Sequence, residues 1–151
     1  MEIDCVLCDI VAGVEPASVI LEDDNVIVFM DLRQPTSGHI LIVPKQHVET
    51  LDMLPLELAG RLMQATVRTA RAMRTSLRLD GLGQWPSPGD GLSLWSSNGS
   101  VAGQEAPHVH LHLLARHAND GLLRIYPADP RAPDRDTLDQ LAAAIRAGFV
   151  E

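Results

Sequence analysis

The sequence predicts an α+β fold: an antiparallel sheet of about five strands with one long helix and a C-terminal helix. Three observations lead there. Five short apolar runs, bounded by turn-forming residues, have strand character. One long stretch, Leu56–Leu77, repeats apolar residues at helical spacing. The strands cluster around that one helix, as in mainly antiparallel α+β folds.

Taken in order, residues 4–12 (DCVLCDIVA) read as a short helix or turn. Strands follow at Ser18–Glu22 and Val26–Asp31, joined by the turn Asp23-Asp24-Asn25. His39-Ile-Leu-Ile-Val43 is a continuous apolar run ending at Pro44, the pattern of a strand buried on both faces. In the long helix, Leu58, Leu62, Ala65, Thr69, Met73 and Leu77 share one side, and Arg61, Arg68, Arg71, Arg74 and Arg78 the other. That arginine side reads as a solvated face rather than a nucleic-acid stripe. Residues 79–91 form a turn-rich loop. A strand at Leu92–Ser96, a Gly-containing loop at 98–104 and a strand at Pro107–Arg116 come next. After the Pro- and Asp-rich segment 127–136, a helix begins near Thr137, with Thr137 and Gln140 spaced as a capping box.

At 151 residues the chain is expected to form one domain over 1–151, with a helical extension from about 130. Aromatic residues are 3% of the chain, so the core is aliphatic. The formal net charge of -8 argues against nucleic-acid polymers and anionic membrane surfaces as partners, while leaving room for a small nucleotide in a local pocket. No segment reaches the roughly 20 apolar residues of a membrane span, and the acidic N-terminus lacks the features of a secretory signal. A cytoplasmic location is expected. In a reducing compartment, Cys5 and Cys8 suggest metal or redox chemistry before a disulfide; zinc, a redox pair and two buried thiols all remain open on spacing alone.

The informative segment is His108-Val-His110-Leu-His112. In a strand the three imidazoles share one face, neighbours about 6.6 Å apart, while Val109, Leu111 and Leu113 pack the other. A core does not tolerate three such rings in a row without partners for each. Three histidines at strand period after a Gly-rich loop therefore point to a site.

This His-φ-His-φ-His-φ-φ run (φ apolar) resembles the signature of the histidine triad family. So do Phe29-Met-Asp31-Leu32, Gly38-His39-Ile-Leu-Ile-Val-Pro44-Lys45-Gln-His47 and Asn98-Gly99…Ala102-Gly103-Gln104, in the same order, over roughly residues 3–118. The resemblance implies a nucleotide hydrolase acting on a purine nucleotide phosphoramidate or dinucleotide. His110 would attack the α-phosphorus to form a nucleotidyl-histidine that water hydrolyses. It implies that His112 and His39 orient phosphate and nucleophile, and that Gly103 and Gln104 offer backbone N–H groups to the phosphate. Ser97 and Asn98 fall in the phosphate-side block, Asp31 would hold the ribose, and Leu7, Ile10, Phe29 and Leu32 would form a slot for the base. Without the resemblance those four read as core.

Zinc-bearing relatives imply Cys5, Cys8, His47 and His108 as a closed, structural Cys2His2 zinc site. The family also implies a homodimer whose sheets join. Some positions depart from its pattern. Glu105 stands where some branches carry a serine or threonine that assists the leaving group, Ser97 where an amide is common, and Ala115 where proline often precedes Arg116. The loop around 84–88 is longer than usual. Two other classes remain to be weighed: a silent nucleotide-binding or scaffold protein, and a metal-dependent hydrolase with His108, His110 and His112 as ligands.

Overall fold

The computed structural model describes residues 5–76, 90–122 and 133–149. By compactness the chain divides into two units, Met1–Asp120 and Gly121–Glu151.

The first unit is a five-stranded antiparallel sheet in the order β1-β2-β3-β5-β4. Its strands are β1 (Val19–Glu22), β2 (Val26–Met30), β3 (His39–Pro44), β4 (Gly91–Trp95) and β5 (Leu111–Arg116), and its helices are α1 (Val6–Val11) and α2 (Leu56–Ser76). The β1–β2 turn is held by Asp23, whose Oδ1 accepts from the N–H groups of Asn25 and Val26, both at 2.8 Å. These donors hold the Asp23 carboxyl below its usual range.

Central β3 is buried at all six positions, as its unbroken apolar run requires. Its even residues, Ile40 and Ile42, face Leu58, Leu62, Ala65 and Met73 of α2, in a core shared with Val26, Val28, Val109 and Leu113. Its odd residue Leu41, with Ile27, Phe29 and Val43, packs with Leu7 and Cys5 of the α1 segment. One side of the sheet thus carries the long helix, and the other carries α1. Arg61, Arg68, Arg71 and Arg74 are exposed as expected, beside the apolar Met63 and Val67. Leu77 and Arg78 lie outside the described residues, as do most of the 79–91 loop and residues 84–88 within it.

Two expectations are corrected. The last strand begins at Leu111 rather than Pro107, so His108 and His110 precede it. There the Val109 N–H donates to the Val48 carbonyl at 2.6 Å instead of to a sheet neighbour. In the second unit, α3 spans Arg135–Arg146 and its cap is Asp134, whose carboxylate accepts from the Thr137 N–H at 2.8 Å. Thr137 sits inside the first turn as the receiver of that cap. Among the described residues no helix is long and apolar enough to cross a membrane.

Candidate active site and metal centre

The triad histidines keep the alternation the sequence implied, with Val109, Leu111 and Leu113 against the α2 side. Their imidazoles find three different partners. His108 is fully buried; its Nε2–H donates to the Pro44 carbonyl at 2.9 Å, so its Nδ1 lone pair turns towards the cysteines. His110 Nδ1 lies 2.7 Å from the His108 carbonyl. A carbonyl only accepts, so Nδ1 carries the proton and Nε2 is left with its lone pair.

His112 belongs to a relay. His39 Nδ1 donates to the Arg33 carbonyl at 2.7 Å, so in the neutral ring Nε2 is an acceptor, and His112 Nδ1–H donates to it at 3.0 Å. His112 Nε2 is then also a bare lone pair. Burial, together with His110 and His39 beside it, pushes the His112 imidazole down to about 4. Asp31 braces the far end: its Oδ2 is 3.6 Å from His39 Nδ1, and its Oδ1 accepts from the Arg33 N–H at 2.7 Å. Asp31, His39 and His112 are close enough to suggest a metal group. The His39 ring, however, spends one nitrogen on the Arg33 carbonyl and the other on His112, with the Asp31 carboxylate as a charged neighbour at 3.6 Å, so both of its nitrogens are already engaged.

Two residues that sequence reasoning passed over hold this relay. Trp95 stacks on His112 with ring centroids 4.5 Å apart and planes at 5°, and on His39 at 5.6 Å and 15°. Gln34 spends its whole amide on the loop between β2 and β3. Its Oε1 accepts from the N–H groups of Gly38 and His39, both at 2.9 Å, and its Nε2 donates to the carbonyls of Asp31 and His39 at 2.6 and 2.8 Å. Gly38 turns the chain with φ of 104°, a value that favours glycine.

Cys5, Cys8, His47 and His108 converge, each offering a ligand atom within 4.8 Å of the others. Cys8 Sγ is 3.2 Å from His47 Nδ1 and 3.5 Å from His108 Nδ1, and Cys5 Sγ is 3.6 Å from the latter. The donor set fits a metal ion. Burial, then the neighbouring Cys5, raises the Cys8 thiol to about 11, an environment in which a thiolate wants a cation. Burial holds His108 in the neutral form that a ligand needs. The metal-hydrolase alternative is disfavoured, because His110 joins neither metal-compatible group among the described residues and the triad imidazoles do not share a focus.

A cavity of about 550 Å³ opens beside His110 and His112. Its lining includes the apolar Leu7, Ile10 and Phe29 and the charged Asp31, Arg33 and Glu105. Leu32 also lines it but is 99% exposed. It is therefore a rim residue rather than a wall of the slot.

The loop 97–104 departs from expectation. The Gly103 N–H donates to the Ser100 carbonyl at 3.0 Å and the Gln104 N–H to that of Gly99 at 3.2 Å, so both serve the turn instead of facing the cavity. The Gln104 amide bridges Gly99 and Glu49, and the Asn98 amide bridges Leu51 and Ser96. Ser97 Oγ faces Gly103. None of Ser97, Asn98, Gly103 or Gln104 lines the cavity, whereas Glu105 does.

The HIT domain profile matches residues 12–119. The chain belongs to the HIT family. Among HIT relatives, Protein hit of Bacillus subtilis is 33% identical over 134 residues, 87% of this chain and 86% of that one. An adenosine 5'-monophosphoramidase of Saccharomyces cerevisiae is 30% identical over 138 residues, 91% and 77% of the two chains. A crystal structure of a HIT family member from Bacillus subtilis covers 98% of this chain and 99% of its own at TM-score 0.84 and 29% identity. A zinc-bound histidine triad protein from Mycobacterium smegmatis covers 93% and 97% at TM-score 0.68 and 33% identity. The α+β architecture read from the sequence is therefore that of the HIT fold.

Proposed function

We propose that the protein is a nucleotide hydrolase that releases a nucleoside monophosphate through a covalent nucleotidyl-histidine at His110. The observation that carries this reading is the His110 tautomer. The Nδ1 proton is committed to the His108 carbonyl, which leaves Nε2 with its lone pair, and His110 lines a cavity that also carries apolar Leu7, Ile10 and Phe29 and charged Asp31, Arg33 and Glu105.

In the reaction, Nε2 attacks the α-phosphorus and a P–N bond forms. The bond from phosphorus to the leaving oxygen or nitrogen breaks, and its electron pair stays on the leaving atom, which takes up a proton. A water oxygen then attacks the same phosphorus, and the P–N pair returns to Nε2 as nucleoside monophosphate departs. Asp31 at the polar side is placed for the ribose hydroxyls, with Leu7, Ile10 and Phe29 against the base. His112 and His39 fix the phosphoryl group. The yeast relative named a monophosphoramidase supports a purine nucleotide phosphoramidate, and dinucleoside polyphosphates are the second substrate class.

Cys5, Cys8, His47 and His108 would hold zinc in a closed tetrahedron, tying α1 to the segment that carries the nucleophile. The chain acts as a cytoplasmic homodimer in this reading. The outer edge of β4, exposed Leu94 on the α2 face, and Met63 and Val67 offer apolar area for a second copy.

The test is incubation with adenosine 5'-phosphoramidate and with diadenosine polyphosphates, following AMP release and intact mass. Turnover with a trapped adenylyl adduct, both absent from His110→Ala, is expected. Binding of AMP without adduct or turnover would replace this reading with a silent nucleotide-binding protein.

A further inference from the structure

Arg33 joins three parts of the site. Its N–H holds Asp31 and its carbonyl holds His39. Its guanidinium makes a two-pronged contact with Glu105, at 3.0 Å to Oε1 and 2.8 Å to Oε2. Both side chains are about 70% exposed and stand on the rim of the cavity that holds His110, which is itself buried. An exposed ion pair contributes little to folding, and this one lines the same cavity as His110 and His112.

We propose that the Arg33–Glu105 pair selects the leaving group, favouring an uncharged or cationic amine over a further phosphate or sulfate. The inference rests on the proposed function, because in-line displacement fixes where the leaving group goes. It must leave on the side away from His110 Nε2, and of the charged residues that line the cavity with the buried His110, Arg33 and Glu105 are the exposed ones while Asp31 is buried. Glu105 already occupies the planar donor fork of Arg33. An incoming phosphate must displace that carboxylate or lie against a like charge. An amine leaves the pair closed and faces the free side of the carboxylate. Glu105 is thus an internal competitor for anions at Arg33, and the departure from serine or threonine becomes a selectivity device.

A double-mutant cycle on the full-length His110→Ala chain tests this without turnover. Dissociation constants are measured by calorimetry for ADP and for adenosine 5'-phosphoramidate, in that background alone and with Glu105→Gln, Arg33→Gln, or both. Glu105→Gln frees Arg33 and is expected to tighten ADP relative to the phosphoramidate by about fivefold, the scale of one exposed charge pair. Arg33→Gln bares the carboxylate and shifts the ratio about as far the other way. The double variant returns it to within about twofold of the starting value. Binding of both ligands with the same ratio in all four proteins would overturn the inference and leave the nucleotide reading standing. Failure of both ligands to bind any of them would overturn the two together.

Discussion

Gln34→Met should loosen His39 without touching any imidazole. Methionine keeps the length and bulk of glutamine, but it removes all four amide contacts. Those contacts are unequal. The His39 carbonyl also accepts from the Asp31 N–H at 3.0 Å and stays satisfied. The N–H groups of Gly38 and His39 belong to buried residues and lose the acceptor they shared. Stranding a buried donor costs about 1 kcal/mol or somewhat more, so the pair predicts a loss of about 2 kcal/mol in urea unfolding. Because His39 sits at the end of that loop and meets His112 at 3.0 Å, turnover should fall roughly tenfold in protein that remains folded. A change below about 0.5 kcal/mol with unchanged turnover would refute the reasoning, since it would mean that other contacts hold the loop.

Three further outcomes are expected. Trp95→Leu removes both stacks and should cost about 1–2 kcal/mol; it should also lower kcat about tenfold with KM nearly unchanged, and Trp95→Phe should recover most of the rate. His112 has a folded pKa of about 4 against an ordinary 6.5, so below pH 6.5 the unfolded chain binds its proton first. Stability should therefore be full above pH 6.5 and decline towards pH 4, and denaturant melts of His112→Asn should show a shallower decline over that window. Metal analysis should find about one zinc per chain, lost in Cys8→Ser with a fall of about 10 °C in Tm by calorimetry.

The periodic parts of the molecule were legible because they answer to solvent. The unbroken run His39–Val43 became the strand buried on both faces, and Leu58, Leu62, Ala65 and Met73 became the inner side of α2. The His-x-His-x-His alternation correctly grouped the imidazoles on the face opposite Val109, although the ladder starts only at Leu111. What escaped was set by side-chain contacts that no periodicity announces, across neighbouring strands for Trp95 and within a single loop for Gln34. Nothing around Trp95 says that a neighbouring strand will lay His112 under its ring, and nothing around Gln34 says that one amide will close a loop on both sides. The Gly99–Gln104 loop has the composition of an anion cradle, yet the N–H groups of Ala102, Gly103 and Gln104 are spent on carbonyls of its own turn. Composition there reports flexibility, while hydrogen-bond bookkeeping decides direction.

The metal-compatible cluster and the nucleophile meet in one residue. His108 turns Nδ1 towards the two thiols, fixes Nε2 on the Pro44 carbonyl, and presents its own carbonyl to His110 Nδ1. The residue that would be held by zinc is therefore the one that sets which nitrogen of His110 is bare. A cluster that served the fold alone would, when broken, reduce turnover only in proportion to the unfolded fraction. Shared use of His108 requires more: Cys8→Ser molecules that remain folded must also turn over more slowly. Any drift of the His108 carbonyl lengthens a 2.7 Å bond and weakens the bias towards the Nε2 lone pair. Specific activity per folded molecule, measured well below the melting temperature, separates the two cases.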